Sequence, residues 1–269
     1  MAVQIDPEYI KARKALLDVI EVLQPHLSSI ILIGAQAIYV HTGDAEFAIS
    51  PFTYDADLAL NPDQLVAEPK LEEIMRKAQF IRTVQPGIYK RTADGAQIDL
   101  LVPASLGGGG RRGARLGLQG NTAAMKVRGI EGALVDHAPI MVKSLDESDL
   151  RSQIIEVAGP AALFVAKILK IAERAQGDLR RQDDKDAFDI FRLLRKVKTT
   201  DLARGIQLLR TNDLSSAVTN EAIERFGQFF GDETSTGVRM VVNHIRGVED
   251  EAIISASCVA LGGDLLASI

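Results

Sequence analysis

Apolar and polar residues follow two different periods along the chain, and the change between them divides it into two parts. Before residue 160, short apolar runs alternate with amphipathic stretches, which is typical of strands separated by helices. From Pro160 onwards, apolar residues recur at helical spacing alone. We therefore predict an α+β domain over residues 1–159, in which helices cover a sheet, and a helical domain over residues 160–269.

The individual elements follow from this pattern and from the residues that interrupt it. Asp6 and Pro7 predict a capped helix start, and Pro160 predicts a second one. Gly262 and Gly263 predict a turn or a helix break near the end of the chain. We predict strands over residues 30–33, 54–60, 80–84, 88–91, 96–102, 140–142 and 154–157. We predict helices over residues 7–25, 34–42, 64–78, 160–172, 185–194, 202–209, 217–230, 238–245 and 252–266.

Gly34 and Ala35 stand between the first strand and the helix that follows it. A buried strand that turns directly into a helix leaves the first backbone N–H groups of the helix without intrahelical partners. Such groups form a cradle for phosphate. The turn therefore predicts an anion-binding site at the start of this helix.

Three aspartates lie in otherwise apolar strands. Asp55 and Asp57 are two residues apart in one strand, so both carboxylates project from the same face. Asp99 lies between apolar neighbours in a later strand, where an acid either meets a cation inside the fold or is a paired structural carboxylate. Because carboxylates beside an anion cradle are what a magnesium–nucleotide site requires, we favour metal binding.

The helical part carries a second set of charged residues. Lys167, Lys170 and Arg174 share one face of the first helix, and Asp186 and Asp189 share one face of the next. Two interpretations remain open. The two helices are joined by salt bridges as a hairpin, or Lys167 contacts a nucleotide phosphate while Asp186 orients it or the acceptor.

Composition limits the classes of function. The net charge of −5 argues against a protein coated by nucleic acid, although local basic patches remain compatible with it. Residues 107–115, rich in glycine and arginine, predict either a solvated loop or a mobile basic arm that steers phosphate-rich substrates. The single cysteine, Cys258, excludes an internal disulfide and predicts a small buried residue. Without an evident export signal or an apolar run of about 20 residues, we expect a cytoplasmic protein that makes no use of a membrane.

Residues 30–195 resemble the AbiEii-like nucleotidyltransferases, toxins of abortive-infection systems within the polymerase-beta-like nucleotidyltransferase superfamily. The matching pieces are residues 31–35 with the helix to His41, then residues 53–58, 97–101, 166–169 and 185–190. The resemblance implies a polymerase-beta-like mixed sheet followed by helices. It also implies that Asp55, Asp57 and Asp99 hold magnesium. By the same matching, Lys167 contacts the nucleotide and Asp186, with Asp189 as a neighbouring candidate, is needed for activity.

The same resemblance implies a nucleotide-binding set of Gly34, Ala35, Gln36, Thr53 and Lys167. Two positions depart from the family pattern. The superfamily turn is usually Gly-Gly or Gly-Ser, so Ala35 supplies no hydroxyl for the terminal phosphate, and we expect Gln36 or backbone N–H groups to replace it. Pro51 stands where the family commonly has an arginine.

The expected activity is transfer of a nucleoside monophosphate from a nucleoside triphosphate such as ATP to an acceptor hydroxyl. Two Mg²⁺ ions, with Mn²⁺ as the alternative, would support it. The acceptor would be an RNA 3′ end, such as that of a tRNA, or a protein side chain. The protein would then be a toxin with a cognate antitoxin. The alternatives are a non-catalytic nucleotide-binding or regulatory relative and a nucleotidyltransferase that modifies an antibiotic.

Overall fold

The computed structural model describes residues 5–43, 52–176 and 184–269. These residues form a mixed sheet flanked by helices and a helical region after it, which confirms the predicted fold class. The strands are β1 (Ile30–Ile33), β2 (Asp55–Leu60), β3 (Phe80–Arg82), β4 (Ile88–Arg91), β5 (Gln97–Pro103), β6 (Met125–Val127), β7 (His137–Lys143) and β8 (Ser152–Ala158).

The order of the strands places the three aspartate-bearing positions at the middle of the sheet. The strands lie in the order β3-β4-β5-β2-β1-β8-β7, and β6 pairs with the end of β5 that extends past β4. β2 runs parallel to β5 and antiparallel to β1. β6 was not predicted from the sequence, because three residues are too few to show a strand pattern.

The helices follow the predicted pattern, with two corrections. They are α1 (Pro7–Val22), α2 (Gly34–Thr42), α3 (Leu71–Lys77), α4 (Pro160–Gln176), α5 (Asp184–Lys196), α6 (Thr199–Thr211), α7 (Ser216–Phe230), α8 (Thr236–Ile245) and α9 (Glu251–Ser268). α3 is much shorter than the predicted helix over residues 64–78, because that range contains Pro69, which has no N–H to donate. α9 continues through Gly262, whose position lies against Phe226 and Phe230 and has little room for a side chain.

One buried apolar cluster extends from α1 through the sheet to α9. α1 starts as predicted, since the Asp6 carboxylate accepts a hydrogen bond from the Glu8 N–H at 2.8 Å. Cys258 is fully buried in the same cluster, as expected. Within the described residues, α9 is the one helix whose length and composition would allow it to cross a membrane. Its Ile254, Cys258, Gly262 and Leu265 are buried against the rest of the protein, whereas most of its other residues are partly or fully exposed.

Candidate active site

Three carboxylates meet on one face of the sheet. Asp57 of β2 is the direct neighbour of Asp99 in parallel β5, and Asp55 lies two residues earlier on the same face. One oxygen from each carboxylate lies within 4.8 Å of the other two. This confirms the predicted convergence of Asp55, Asp57 and Asp99, which we call the acid triad.

The start of α2 lies against the acid triad. Ile33, the last residue of β1, pairs with Asp57, and Gly34 begins α2 at once. Gly34 has φ +70°, and a Cβ at this position would lie 2.0 Å from Oδ2 of Asp57. Glycine is therefore required both by the backbone conformation and by the closeness of the carboxylate. Ile33 gives α2 no side-chain cap, so the first N–H groups of this helix have no side-chain partner at the cap.

Burial and mutual repulsion raise the pKa values of two carboxyl groups of the acid triad. Burial, followed by the charges of neighbouring aspartates, raises the pKa of Asp57 to about 6 and that of Asp99 to about 8. The lysines that face the triad pair with Asp186 and Asp189 instead. At neutral pH, the triad is thus a site where negative charge is concentrated without direct compensation by these lysines.

Two polar side chains hold the triad in place. The Thr53 hydroxyl donates to Oδ1 of Asp55 at 2.7 Å, and the Gln97 amide donates to Oδ1 of Asp99 at 2.9 Å. Thr53, predicted to bind nucleotide, thus lies in the site and positions an acid. Gln97 was not predicted, although its position two residues before Asp99 in a strand places it on the same face.

The Gln36 side chain has partners inside the protein. Its amide nitrogen donates to the Asp55 carbonyl at 3.0 Å, and its amide oxygen accepts from Arg13 Nε at 2.9 Å. The side chain is buried and does not line the cavity beside the triad. A role for Gln36 in phosphate binding would therefore rest on its backbone N–H in the first turn of α2.

A second charged cluster faces the triad from α4 and α5. Nζ of Lys167 lies 2.6 Å from Oδ1 of Asp186 and 2.7 Å from Oδ2 of Asp189, and all three side chains are buried. Lys170 and Arg174 also pair with Asp186, and Lys185 lies 3.6 Å from Asp189. The salt-bridged hairpin expected as one alternative is thus present. Four cationic side chains thus surround the two carboxylates.

Electrostatic pairing sets the ionisation of this cluster. Burial would lower the pKa of Lys167, but Asp186 and Asp189 raise it well above its usual value. Burial disfavours the ionised carboxylates, yet Lys167 holds the pKa of both aspartates below the usual range. All three groups are therefore charged at neutral pH.

A cavity of about 710 Å³ joins the two clusters and has the size of a small-molecule site. Gly34, Ala35, Thr53, the acid triad, Lys167 and Asp186 line it, whereas Asp189 lies behind Lys167 and does not. Lys170, Arg174 and Lys185 line it too; Lys185 had not been predicted, although it directly precedes Asp186. The remaining wall is mainly apolar, and it also carries the charged residues Arg128 and Glu173. Its apolar side chains are mainly Leu101, Met125, Val127, Ile130, Ala133 and Leu163.

Some residues of interest lie elsewhere. His41 Nε2 lies 2.8 Å from the Ala158 carbonyl, outside the cavity, and burial lowers the pKa of this imidazole. Pro51, the second departure from the family pattern, lies outside the described residues.

No family model and no curated protein sequence matches the chain. Among solved structures, it is similar to an antigenic nucleotidyltransferase-like protein from Paracoccidioides brasiliensis, with 16% identity and a TM-score of 0.40. That similarity covers 79% of this chain and 93% of the fungal chain.

Proposed function

We propose that the protein is a metal-dependent nucleotidyltransferase, which moves a nucleoside monophosphate from a nucleoside triphosphate to an acceptor hydroxyl and releases pyrophosphate. One observation supports this above the others. Three carboxylates converge beside an uncapped helix start, in a cavity whose opposite wall carries Lys167 and Lys170. Sites for phosphoryl-type transfer need this combination of oxygen ligands for cations and positive charge for phosphates.

The acid triad fits divalent cations by its chemistry. Carboxylate oxygens are the ligands that Mg²⁺ and Mn²⁺ prefer. Burial and the neighbouring aspartates raise the pKa values of Asp57 and Asp99, and a bound cation would offset both effects. Asp55, Asp57 and Asp99 would hold the cations, which when bound activate the attacking hydroxyl and neutralise charge on the transferred phosphate and the leaving pyrophosphate.

The protein groups around the triad have separate tasks in this proposal. The N–H groups at the start of α2 bind phosphate oxygens of the triphosphate. Lys167 and Lys170, on the opposite wall, attract the negative tail of the nucleotide. Thr53 and Gln97 fix the carboxylates they bond. Asp99 is the group we assign to accept the proton of the attacking hydroxyl, because its carboxylate lines the cavity beside Asp57.

The resemblance to AbiEii-like toxins supports a finer proposal. We propose on this basis that the protein is a toxin with a cognate antitoxin, and that its acceptor is an RNA 3′ end or a protein side chain. The support is the ordered set of matching segments, which supplies the triad, Lys167 and Asp186 to one cavity.

One observation favours a second candidate, a passive nucleotide-binding relative. Ala35 gives the α2 turn no hydroxyl for the terminal phosphate, and the side chain of Gln36 is turned away to Arg13. A protein of this kind would bind a nucleotide between the triad and α4 without transferring it.

Incubation with α-³²P-labelled nucleoside triphosphates distinguishes the two candidates. The four nucleotides are tested singly, with Mg²⁺ or Mn²⁺, and total RNA and lysate proteins are offered as acceptors. We expect label in one acceptor pool, dependent on the metal, and a loss of about 10²–10³-fold in the Asp55→Asn variant. Asp63→Asn, which changes an exposed aspartate outside the site, is the matched control and should label normally. Absence of label with every nucleotide, or equal labelling by Asp55→Asn, would reject the transferase.

A further inference from the structure

A concentrated positive charge lies beside the cavity. Residues 107–128 contain five basic residues and no acidic one, in a chain whose net charge is −5. Three of them are in the glycine-rich segment of residues 107–115, which we call the arginine loop. The basic residues are Arg111, Arg112, Arg115, Lys126 and Arg128.

The arginine loop is folded onto β6. Nζ of Lys126 donates to the carbonyls of Gly108 and Gly110 at 2.9 and 2.5 Å. The Lys126 N–H donates to the Arg112 carbonyl at 2.7 Å, and Gly113 forms a bridge with Met125. A Cβ at Gly113 would lie 2.0 Å from the Asn121 carbonyl oxygen, so only glycine fits there. The backbone of the loop therefore has a defined shape, in place of the unstructured connection that its composition suggested.

The three arginines of the loop have solvent-accessible side chains, and that of Arg115 lies against Gly108 and Gly109. Arg111, Arg112 and Arg115 are exposed. Among the ion pairs formed by the described part of the chain, none involves these three side chains, whereas other exposed arginines such as Arg128 and Arg204 do have acidic partners. The Lys126 ammonium group is hydrogen-bonded to the backbone of the loop. The three arginines are therefore the basic groups of the loop that can bind an external anion.

The loop lies at a defined distance from the acid triad. Across the sheet, Asp57 of β2 is the neighbour of Asp99 of β5. Leu101, two residues after Asp99, pairs with Met125 of β6, and Met125 forms the bridge with Gly113 of the loop. Two strand spacings across the sheet and two residues along β5 separate Asp99 from this bridge, which is on the order of 12 Å. At about 3.4 Å per nucleotide in a stacked strand, this distance corresponds to about three to four nucleotides. Met125 lines the cavity, so the bridge joins the loop to one wall of the cavity.

We propose that the arginine loop binds the sugar–phosphate backbone of a single-stranded nucleic acid, about three to four nucleotides from the end that enters the cavity. This inference rests on the proposed transfer activity and selects nucleic acid over protein as the acceptor class. Arginine forms bidentate hydrogen bonds with phosphate, and closely spaced exposed arginines match the regular charges of a nucleic-acid strand. An unpaired end suits the cavity because the donor nucleotide must share its volume.

Fluorescence anisotropy tests the surface without requiring any chemistry. The full chain is titrated into a 5′-fluorescein-labelled twelve-nucleotide oligo(U) in EDTA, at several salt concentrations between 50 and 200 mM. We expect R111Q/R112Q/R115Q to lose affinity about tenfold or more at low salt. The slope of log K against log salt should also become shallower by about 2, since each lost phosphate contact on a single strand removes about 0.7. R204Q/R239Q/R246Q, which removes the same charge from exposed positions on α6, α8 and the loop after it, should bind like the parent.

Each other outcome overturns the proposal. Absence of oligo(U) binding by the parent, unchanged affinity in the loop variant, or equal losses in both triple variants would show that the loop is not a nucleic-acid surface. Poly-glutamate that binds as tightly, with the same dependence on the loop, would assign the surface to an acidic protein. The binding measurement does not depend on the proposed transfer activity, so the two proposals can fail independently. Asp99→Asn should lose transfer and keep oligo(U) binding.

Discussion

Asp99 is the residue at which burial and neighbouring charge act together most strongly. Its carboxylate lies between Asp57 and Gln97, and its pKa is raised to about 8, first by burial and then by Asp57 and Asp55. The folded protein therefore holds a proton at a pH where the unfolded chain has released it. By linkage, this group lowers the stability of the metal-free protein as the pH rises from about 4 to about 8.

Asp99→Asn should for this reason be more stable than the parent at pH 8 without metal. We expect a gain of up to about 5 kcal/mol, because the pKa rises by about four units and each unit corresponds to about 1.4 kcal/mol. The gain should shrink towards zero near pH 4, where Asp99 is protonated in both states. Urea unfolding in EDTA measures it, with Asp63→Asn as a control of unchanged stability. Adding Mn²⁺ should make the parent more stable than the variant. If the variant is less stable than the parent in EDTA at pH 8, burial and repulsion at Asp99 do not destabilise the protein.

At the scale of elements, Lys167 is the tie between α4 and α5. It lies on α4, and its ammonium group is shared by Asp186 and Asp189, which are four-fifths of a turn apart on α5 and almost wholly buried. Burial of charge costs free energy, and the close pairing offsets that cost. Lys167, which the resemblance predicts to contact nucleotide, thus also stabilises the packing of α4 against α5.

Lys167→Met should destabilise the protein by about 3 kcal/mol, because two buried carboxylates lose their shared cation. The pKa values of Asp186 and Asp189 are lowered in the folded state, so this pairing stabilises the protein above about pH 4 and is lost as the pH falls through their lowered values. The deficit should therefore be largest near pH 7 and smaller below pH 4, as measured by urea unfolding. Asp189→Asn in the Lys167→Met background should recover part of it. An equal deficit at all pH values would indicate lost packing instead.

At the scale of the whole molecule, the sheet and the helical region share one buried cluster. Arg192 of α5 donates to the Gly43 carbonyl at 2.7 Å, and its guanidinium lies 5.0 Å from the centre of the Tyr39 ring on α2. The boundary predicted at residue 160 marks a change of architecture. That the two parts are separate domains stays a prediction. A continuous core favours one cooperative unit.

Two optical probes test this cooperativity directly. The chain has no tryptophan, and its four tyrosines, at positions 9, 39, 54 and 89, all precede residue 160. Tyrosine fluorescence therefore reports on the sheet part, whereas far-ultraviolet circular dichroism is dominated by helices that mostly follow it. We expect both signals to change at the same urea concentration. Separate midpoints would establish two folding units divided near residue 160.

The sequence alone predicted features that depend on neighbours along the chain. Strand and helix periods placed most elements, and the spacing of Asp55 and Asp57 put their carboxylates on one face, because side-chain direction alternates within a strand. The same local reasoning failed for α3, where it extended a helix across Pro69, and for β6, whose three residues carry no period.

Tertiary structure decided what depends on contacts between distant segments. The parallel register of β2 and β5 sets Asp57 beside Asp99, and only the closeness of Gly34 to Asp57 shows why that turn has no side chain. Packing of α4 on α5 placed Lys167 between two acids. Hydrogen bonds from Lys126 gave a defined backbone shape to a loop whose composition had not predicted one. These outcomes follow from burial, register and hydrogen bonding across many residues, and such long-range pairings leave no mark on local spacing.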